Sequence, residues 1–287
     1  MEYKEPLFRP PSEANSLIIQ VAYGCPHNTC LFCPMYKSVK YTLRKKEDIF
    51  NDIDEAARIY PGTRRIFLAD GDVMALSFSY LEQILMKLNE LFPRLIRISL
   101  YSNGSSILNK TIEELISLKK LKLHTLYMGL ESGDNEVLKL VEKNETSEKM
   151  IKAAHHLESA GLRLCVFALL GLGGKKRSYE HAVKTAEAIN KMAPKIFTIL
   201  RFINVEESKM YEGYETVSEY ESVLELYNMI NGLELKNTIF RSDHSSVPIA
   251  LSGRFPNDKE FLLNGLKKLL NGSKLSKKSE GFTPYWL

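Results

Sequence analysis

The sequence predicts an α/β chain: a partial barrel of six βα units with a mainly helical C-terminal extension. Three observations carry that expectation. Six short runs rich in β-branched, leucine or aromatic residues alternate with longer patterns of helical period. Polar or glycine-rich residues follow each run, at the end where the loops of a parallel βα architecture converge on ligands. A chain of 287 residues, 44% hydrophobic and 26% charged, buries a large core and is neither disordered nor fibrous in composition.

The strands are expected at 17–23, 65–69, 96–101, 124–130, 163–170 and 196–202. Between them, helices are expected at 47–60, 77–92, 111–120, 146–160 and 178–192. The first helix gathers Ile49, Ile53, Ala56, Ala57 and Tyr60 on one face. Thr146 opens the fourth, and Gly161 closes it where a left-handed residue is wanted. Strand, crossover helix and strand imply parallel, right-handed units, and six of them fall short of the closed eight-fold barrel. The barrel is assigned to residues 1–210 and the extension to 211–287, with helices at 217–230 and 258–270 around an irregular stretch at 241–248.

The longest apolar run, 164–172, is too short to cross a bilayer, which needs about 20 residues. The N-terminal segment has glutamates and prolines but no apolar core, so neither a signal nor a transit peptide is expected and the compartment is read as cytoplasmic. A formal charge of +4 gives no general reason to bind nucleic acid. Lys267, Lys268, Lys274, Lys277 and Lys278 are read as a solvated face.

Three of the four cysteines, Cys25, Cys30 and Cys33, fall within nine residues. In a reducing compartment such crowding points to metal ligation, while Cys165, in an apolar run, is a core residue. Spacing alone leaves three readings open. Structural zinc needs a fourth ligand, and His27 sits between two others. A plant-type two-iron cluster opens with this spacing but would need the distant Cys165. A four-iron cluster on three thiolates leaves one iron open to a small chelating molecule.

The strand ends lead, in order, into the cysteine loop, Asp70-Gly71-Asp72, Ser102-Asn103-Gly104, Glu131-Ser132-Gly133, Gly171-Leu172-Gly173-Gly174 and Arg201 to Asn204. Each is an ordinary turn when taken singly; recurrence at one rim points to a site. The glycine loop fits neither the dinucleotide nor the triphosphate pattern, since Lys176 and Leu169 stand where glycines are required. Its glycines are read as letting a flat ring approach the backbone.

From Ser16 to about Phe202 these residues resemble the radical S-adenosylmethionine (SAM) superfamily, in its coproporphyrinogen-oxidase-like and Elongator-like branch. The cysteine loop 24–33 resembles the cluster motif, with aromatic Phe32 before the third cysteine. Its four residues between the first two cysteines are one more than the commonest spacing. Asp70-Gly71-Asp72 takes the place of the Gly-Gly-Glu motif, and 127–134 resembles the fourth-strand motif.

The resemblance implies a [4Fe-4S] cluster on Cys25, Cys30 and Cys33, with SAM chelating the open iron. One electron would cleave SAM to methionine and a 5′-deoxyadenosyl radical that takes hydrogen from an unidentified small organic or tetrapyrrole-like substrate. It places Asp70, Gly71 and Asp72 at the SAM amino group, Glu131 at its ribose or methionine part, and Lys143 at its carboxylate. Phe32 and Gly171 would meet adenine. Ser102, Asn103 and Arg201 complete the cofactor set, and Tyr36 and His244 are candidates for substrate; Tyr36 and Arg44 are candidate braces of SAM or the cluster, and His27 a candidate to tune solvent access or hydrogen-bond to the cluster.

The implied partners are a small-molecule substrate and a reductant such as a flavodoxin or ferredoxin, with no membrane and no nucleic acid. No further cysteine group is available for an auxiliary cluster, and no cobalamin domain is expected ahead of the loop. Two rivals stay open: a non-catalytic metal-binding or electron-carrier protein, and a nucleic-acid-modifying radical enzyme that uses the lysine-rich tail.

Overall fold

The structure is a computed structural model, which describes residues 3–205 and 209–281. Its strands are β1 (Leu17–Gln20), β2 (Ala22–Tyr23), β3 (Thr42–Leu43), β4 (Arg65–Ala69), β5 (Arg97–Ser102), β6 (Leu123–Glu131), β7 (Arg163–Leu170), β8 (Ile196–Arg201), β9 (Thr238–Ser242) and β10 (Leu251–Phe255). The helices are α1 (Lys46–Ile59), α2 (Phe78–Leu91), α3 (Gly104–Leu108), α4 (Ile112–Lys120), α5 (Asn135–Leu140), α6 (Ser147–Ser159), α7 (Gly174–Met192), α8 (Glu219–Gly232) and α9 (Lys259–Leu270). The fold class is the expected one: α/β, with a mostly parallel eight-stranded sheet and helical crossovers.

The chain divides into two compact units. The first holds the residues up to Asn28, Met35–Met128 and Lys152–Leu164; the second holds Thr29–Pro34, Gly129–Ile151 and the chain from Cys165 onward.

In the first unit β1, β4, β5 and the start of β6 run parallel in that order, with Gln20 beside Ala69 and Ile66 beside Ile98. Ile66, Phe67, Leu68 and Ala69 are all fully buried, as expected of a parallel strand covered on both faces. Helix ends follow local chemistry. The Ser77 hydroxyl accepts the Tyr80 N–H at the start of α2, and Thr111 and Glu114 form a capping box at α4. Gly161, at φ +69°, ends α6 in the left-handed region.

In the second unit β7, β8 and β9 are parallel, and β10 returns antiparallel to β9. Two expectations shift here. Helix α7 begins at Gly174 rather than at 178, because the Gly174 N–H closes a turn on the Gly171 carbonyl and the helix continues directly from it. The stretch read as irregular is partly β9, and the extension adds β10 as well as its helices. Both strands are five residues long and are specified by non-local pairing, which leaves little periodic signal in sequence. Among the described residues no helix is long and apolar enough to cross a membrane.

Candidate cofactor and metal site

In the first unit the turn after β4 holds the start of the cysteine loop. The Asp70 carboxylate, 1% exposed, accepts from the Gln20 side-chain amide at 3.0 Å, the Gly24 N–H at 3.1 Å and the Tyr36 hydroxyl at 3.0 Å. Burial raises its pKa above the ordinary carboxylate value, and those three donors oppose the shift. Tyr36 is buried too, and burial together with the Asp70 charge raises its phenol. The Gly71 N–H donates to the Gly24 carbonyl at 3.2 Å, so both backbone groups of Gly24 are held by the Asp70-Gly71 turn.

Gly71 also sets how closely the first thiol is seated. A Cβ there would lie 2.6 Å from the Cys25 Cβ and 3.2 Å from its Sγ. Next along, His27 Nε2 lies 2.8 Å from Asp72 Oδ2, and the other Asp72 oxygen accepts from the Ser106 hydroxyl at 2.9 Å. Asn28 donates from its side chain to the Tyr36 carbonyl at 2.7 Å. Asn103 caps α3, and the Ser102 hydroxyl donates to the Tyr127 carbonyl. Arg44 braces the end of β1, donating to the Gln20 carbonyl at 2.7 Å and to Asp52 at 2.6 Å.

The other end of the loop belongs to the second unit. The Leu31 N–H donates to the Val141 carbonyl at 2.9 Å, and the Thr29 hydroxyl to the Glu142 carbonyl at 3.2 Å. Phe32 packs in an apolar cluster with Val137, Val141, Leu172 and Phe202, and Cys30, Cys33, Tyr211 and Tyr214 lie against it. The two thiols therefore meet an apolar wall that lowers the local dielectric around them.

Glu131, at φ +62°, lies 3.4 Å from Lys143. Burial raises the Glu131 carboxyl, and Lys143 opposes it. Burial would lower the Lys143 ammonium, but the Glu131 carboxylate and the neighbouring Cys30 outweigh that effect, so it remains a firmly held cation. A Cβ at Gly129 would lie 1.8 Å from Glu131 Oε1, so a side chain there would displace the carboxylate.

Gly171, at φ +80°, donates its N–H to Glu225 at 2.7 Å, and its carbonyl accepts from the Tyr214 hydroxyl at 2.9 Å. Buried Arg201 donates a guanidinium hydrogen to the Glu280 carbonyl, and its backbone N–H donates to the Ser246 hydroxyl at 3.1 Å. His244 is turned onto that same Ser246, at 2.8 Å, so its ring serves the turn that carries it. Lys267 and Lys277 lie over the rings of Tyr227 and Tyr220, and Cys165 is buried in β7 as expected.

Within the first unit Asp70, Gly71 and Tyr36 brace the Cys25 end of the loop, and within the second Phe32 packs beside Cys30 and Cys33. Among the described residues it does not gather three His, Cys, Asp or Glu side chains into a metal-holding group. The donor set nevertheless fits an iron-sulfur cluster by its chemistry, with three thiols on one loop, Cys25 seated where only glycine leaves room, and an apolar wall behind the other two. Sequence reasoning missed Gln20, Ser106, Tyr214 and Glu225. A glutamine ending an apolar strand and a glutamate on the inner face of α8 were the available signals. His181 is buried, with its ring bound to Ser132 and the Leu169 carbonyl.

Known proteins resemble this chain in the same terms. Two uncharacterized proteins of Methanocaldococcus jannaschii are similar: one is 25% identical over 82% of this chain and 49% of its own length, the other 22% identical over 96% and 86%. The chain therefore spans about half the length of the first. The structure of Escherichia coli coproporphyrinogen III oxidase, described as a radical SAM enzyme, aligns with a TM-score of 0.59 at 16% identity, over 75% of this chain and 51% of that one. Residues 19–189, more than half of the chain, match the radical SAM superfamily model, and the chain belongs to that superfamily.

Proposed function

We propose that this chain cleaves SAM reductively at a [4Fe-4S] cluster held by Cys25, Cys30 and Cys33, and directs the resulting radical at a small organic substrate in the cytoplasm. Membership of the superfamily supports a [4Fe-4S] cluster and SAM as its cofactors. When bound, the pair supplies one-electron cleavage of a carbon-sulfur bond. A flavodoxin or ferredoxin is the proposed electron source.

The chain's own residues position and exclude. Asp70 and Gly71 hold Gly24 from both sides and so fix the direction in which Cys25 leaves the strand. Phe32 and its apolar neighbours shield one side of Cys30 and Cys33 from water, which favours radical chemistry over quenching by solvent. Lys143, kept protonated by Glu131, offers a fixed cation suited to the SAM carboxylate, and Asp72 offers an acceptor suited to its amino group. Gly171 presents a turn without a side chain, suited to a flat ring.

The observation that carries this reading is the contact of Gly71 with Cys25, because a thiol fixed against a glycine-only turn is built for a rigid centre. Anaerobic reconstitution with iron and sulfide tests it. The expected result is a cluster whose electron paramagnetic resonance signal shifts when SAM is added, with 5′-deoxyadenosine released on reduction. Replacing Cys25, Cys30 or Cys33 by alanine abolishes both readouts, and Cys165→Ala preserves them. Zinc in the purified protein, or a cluster indifferent to SAM, overturns the reading.

A further inference from the structure

Besides its own Gly174-to-Gly171 backbone bond, the Gly171–Gly174 turn is held by the C-terminal extension. Among the described residues, the side-chain hydrogen bonds to its backbone come from two segments, the strap at 211–217 and helix α8. Glu225 of α8 accepts the Gly171 N–H at 2.7 Å, Tyr214 donates to the Gly171 carbonyl at 2.9 Å, and Tyr211 donates to the Gly173 carbonyl at 3.1 Å. The backbone agrees: the Lys175 N–H donates to the Glu215 carbonyl at 2.9 Å. Contact is close enough to exclude side chains, since a Cβ on Gly171 would lie 2.9 Å from Val217 Cγ2 and one on Gly174 would lie 3.0 Å from the Glu215 carbonyl.

Glu225 is an unusual residue to spend on packing. Its side chain is fully buried on the apolar face of α8, and burying a carboxyl there is unfavourable unless its oxygens are satisfied. They are: one meets Gly171, the other accepts the Ser178 hydroxyl, and His181 lies 3.4 Å away with its own ring bound to Ser132 and the Leu169 carbonyl. Leucine would fill that place at lower desolvation cost, so the carboxyl is explained by what it holds. The same strap also packs on the apolar cluster that includes Phe32 and Leu172, since Tyr211 and Tyr214 lie against it, as Cys30 and Cys33 do.

We infer that Glu225 and Tyr214 are positioning residues that set the Gly171 turn from its N–H and its carbonyl, making the C-terminal extension the support of this part of the cofactor site. The inference rests on the proposed function only for what the turn receives. The test uses the full-length, iron-loaded enzyme and two readouts without turnover: amide hydrogen exchange at 169–175 and the equilibrium affinity for SAM. Glu225→Leu and Tyr214→Phe each remove one hold, whereas Glu225→Gln keeps an acceptor for Gly171 and serves as the conservative rescue.

The expected result is exchange at the turn faster by about tenfold in Glu225→Leu and Tyr214→Phe, near wild type in Glu225→Gln, with SAM affinity falling in the same order while iron content stays constant. If Glu225→Leu does not fold, Tyr214→Phe and Glu225→Gln still decide. Unchanged exchange at the turn in the folded variants overturns the inference. Faster exchange with unchanged SAM affinity upholds the hold on the turn and overturns instead the reading that the turn meets the cofactor.

Discussion

The Tyr36 hydroxyl donates to the Asp70 carboxylate at 3.0 Å, with both residues buried, and the same carboxylate holds the N–H of the residue before Cys25. The phenol thereby braces the thiol loop. Tyr36→Phe should cost roughly 1–3 kcal/mol, the worth of one hydrogen bond to a buried charge. Asp70→Ala should cost more, because it strands three donors at once. Urea denaturation of the iron-free chain measures both, and a Tyr36→Phe loss below about 0.5 kcal/mol, the scatter of ordinary surface changes, would show that the pair is incidental.

Gly71 touches Cys25 so closely that alanine must displace the loop. Gly71→Ala should fold, retain its circular dichroism spectrum and take up much less iron and sulfide on reconstitution. Gly62→Ala is the control, since nothing lies within 4 Å of a Cβ at that position. Equal iron in the two variants would falsify the seating role given to Gly71.

Glu131 and Lys143 form a half-enclosed charge pair at 3.4 Å. Removing one partner leaves the other without its counter-charge, so Lys143→Met should destabilise by about 2–4 kcal/mol. The double variant Glu131→Gln with Lys143→Met should recover most of that loss. A double-mutant cycle reads the coupling directly, and simple additivity of the two changes would mean that the pair contributes no mutual support.

Two buried groups give stability opposing dependences on pH. Burial pushes Glu225 up from 4.5 to about 7 and His181 down from 6.5 to about 4. The raised carboxyl binds its proton more tightly in the folded chain, so its contribution is full below pH 4.5 and is lost as pH rises to about 7. The lowered imidazole contributes fully above pH 6.5, and that contribution is lost as pH falls to about 4. Glu225→Gln removes only the first dependence. Its stability relative to wild type should therefore climb between pH 4.5 and about 7, by about 3 kcal/mol, and then level off. A difference that stays flat across this range would show that Glu225 does not titrate there.

Much of the architecture was legible because its signals are local. β4 and β7 fall where alternation and β-branched content place them, and Ser77, Thr111 and Gly161 mark helix ends by chemistry confined to a few neighbouring residues. The cysteine spacing likewise carries its meaning within one loop. β9 and β10 were not legible, because five residues can be recognised as a strand only through the partner strand they pair with. Nor was the early start of α7, which a hydrogen-bonded glycine turn decides.

The sequence by itself determined the α/β class and the family, since each follows from short-range pattern and residue type. Only the tertiary structure decided what the polar residues at the strand ends do. Asp70 is turned inward onto Tyr36 and Gly24, Asp72 is paired with His27, His244 is bound into its own turn, and Gly171 is held by a glutamate 54 residues away. The reason is physical: a buried carboxylate or imidazole must find its hydrogen-bond partners wherever the packed chain brings them, and all of these partners but that of His244 lie far away in sequence.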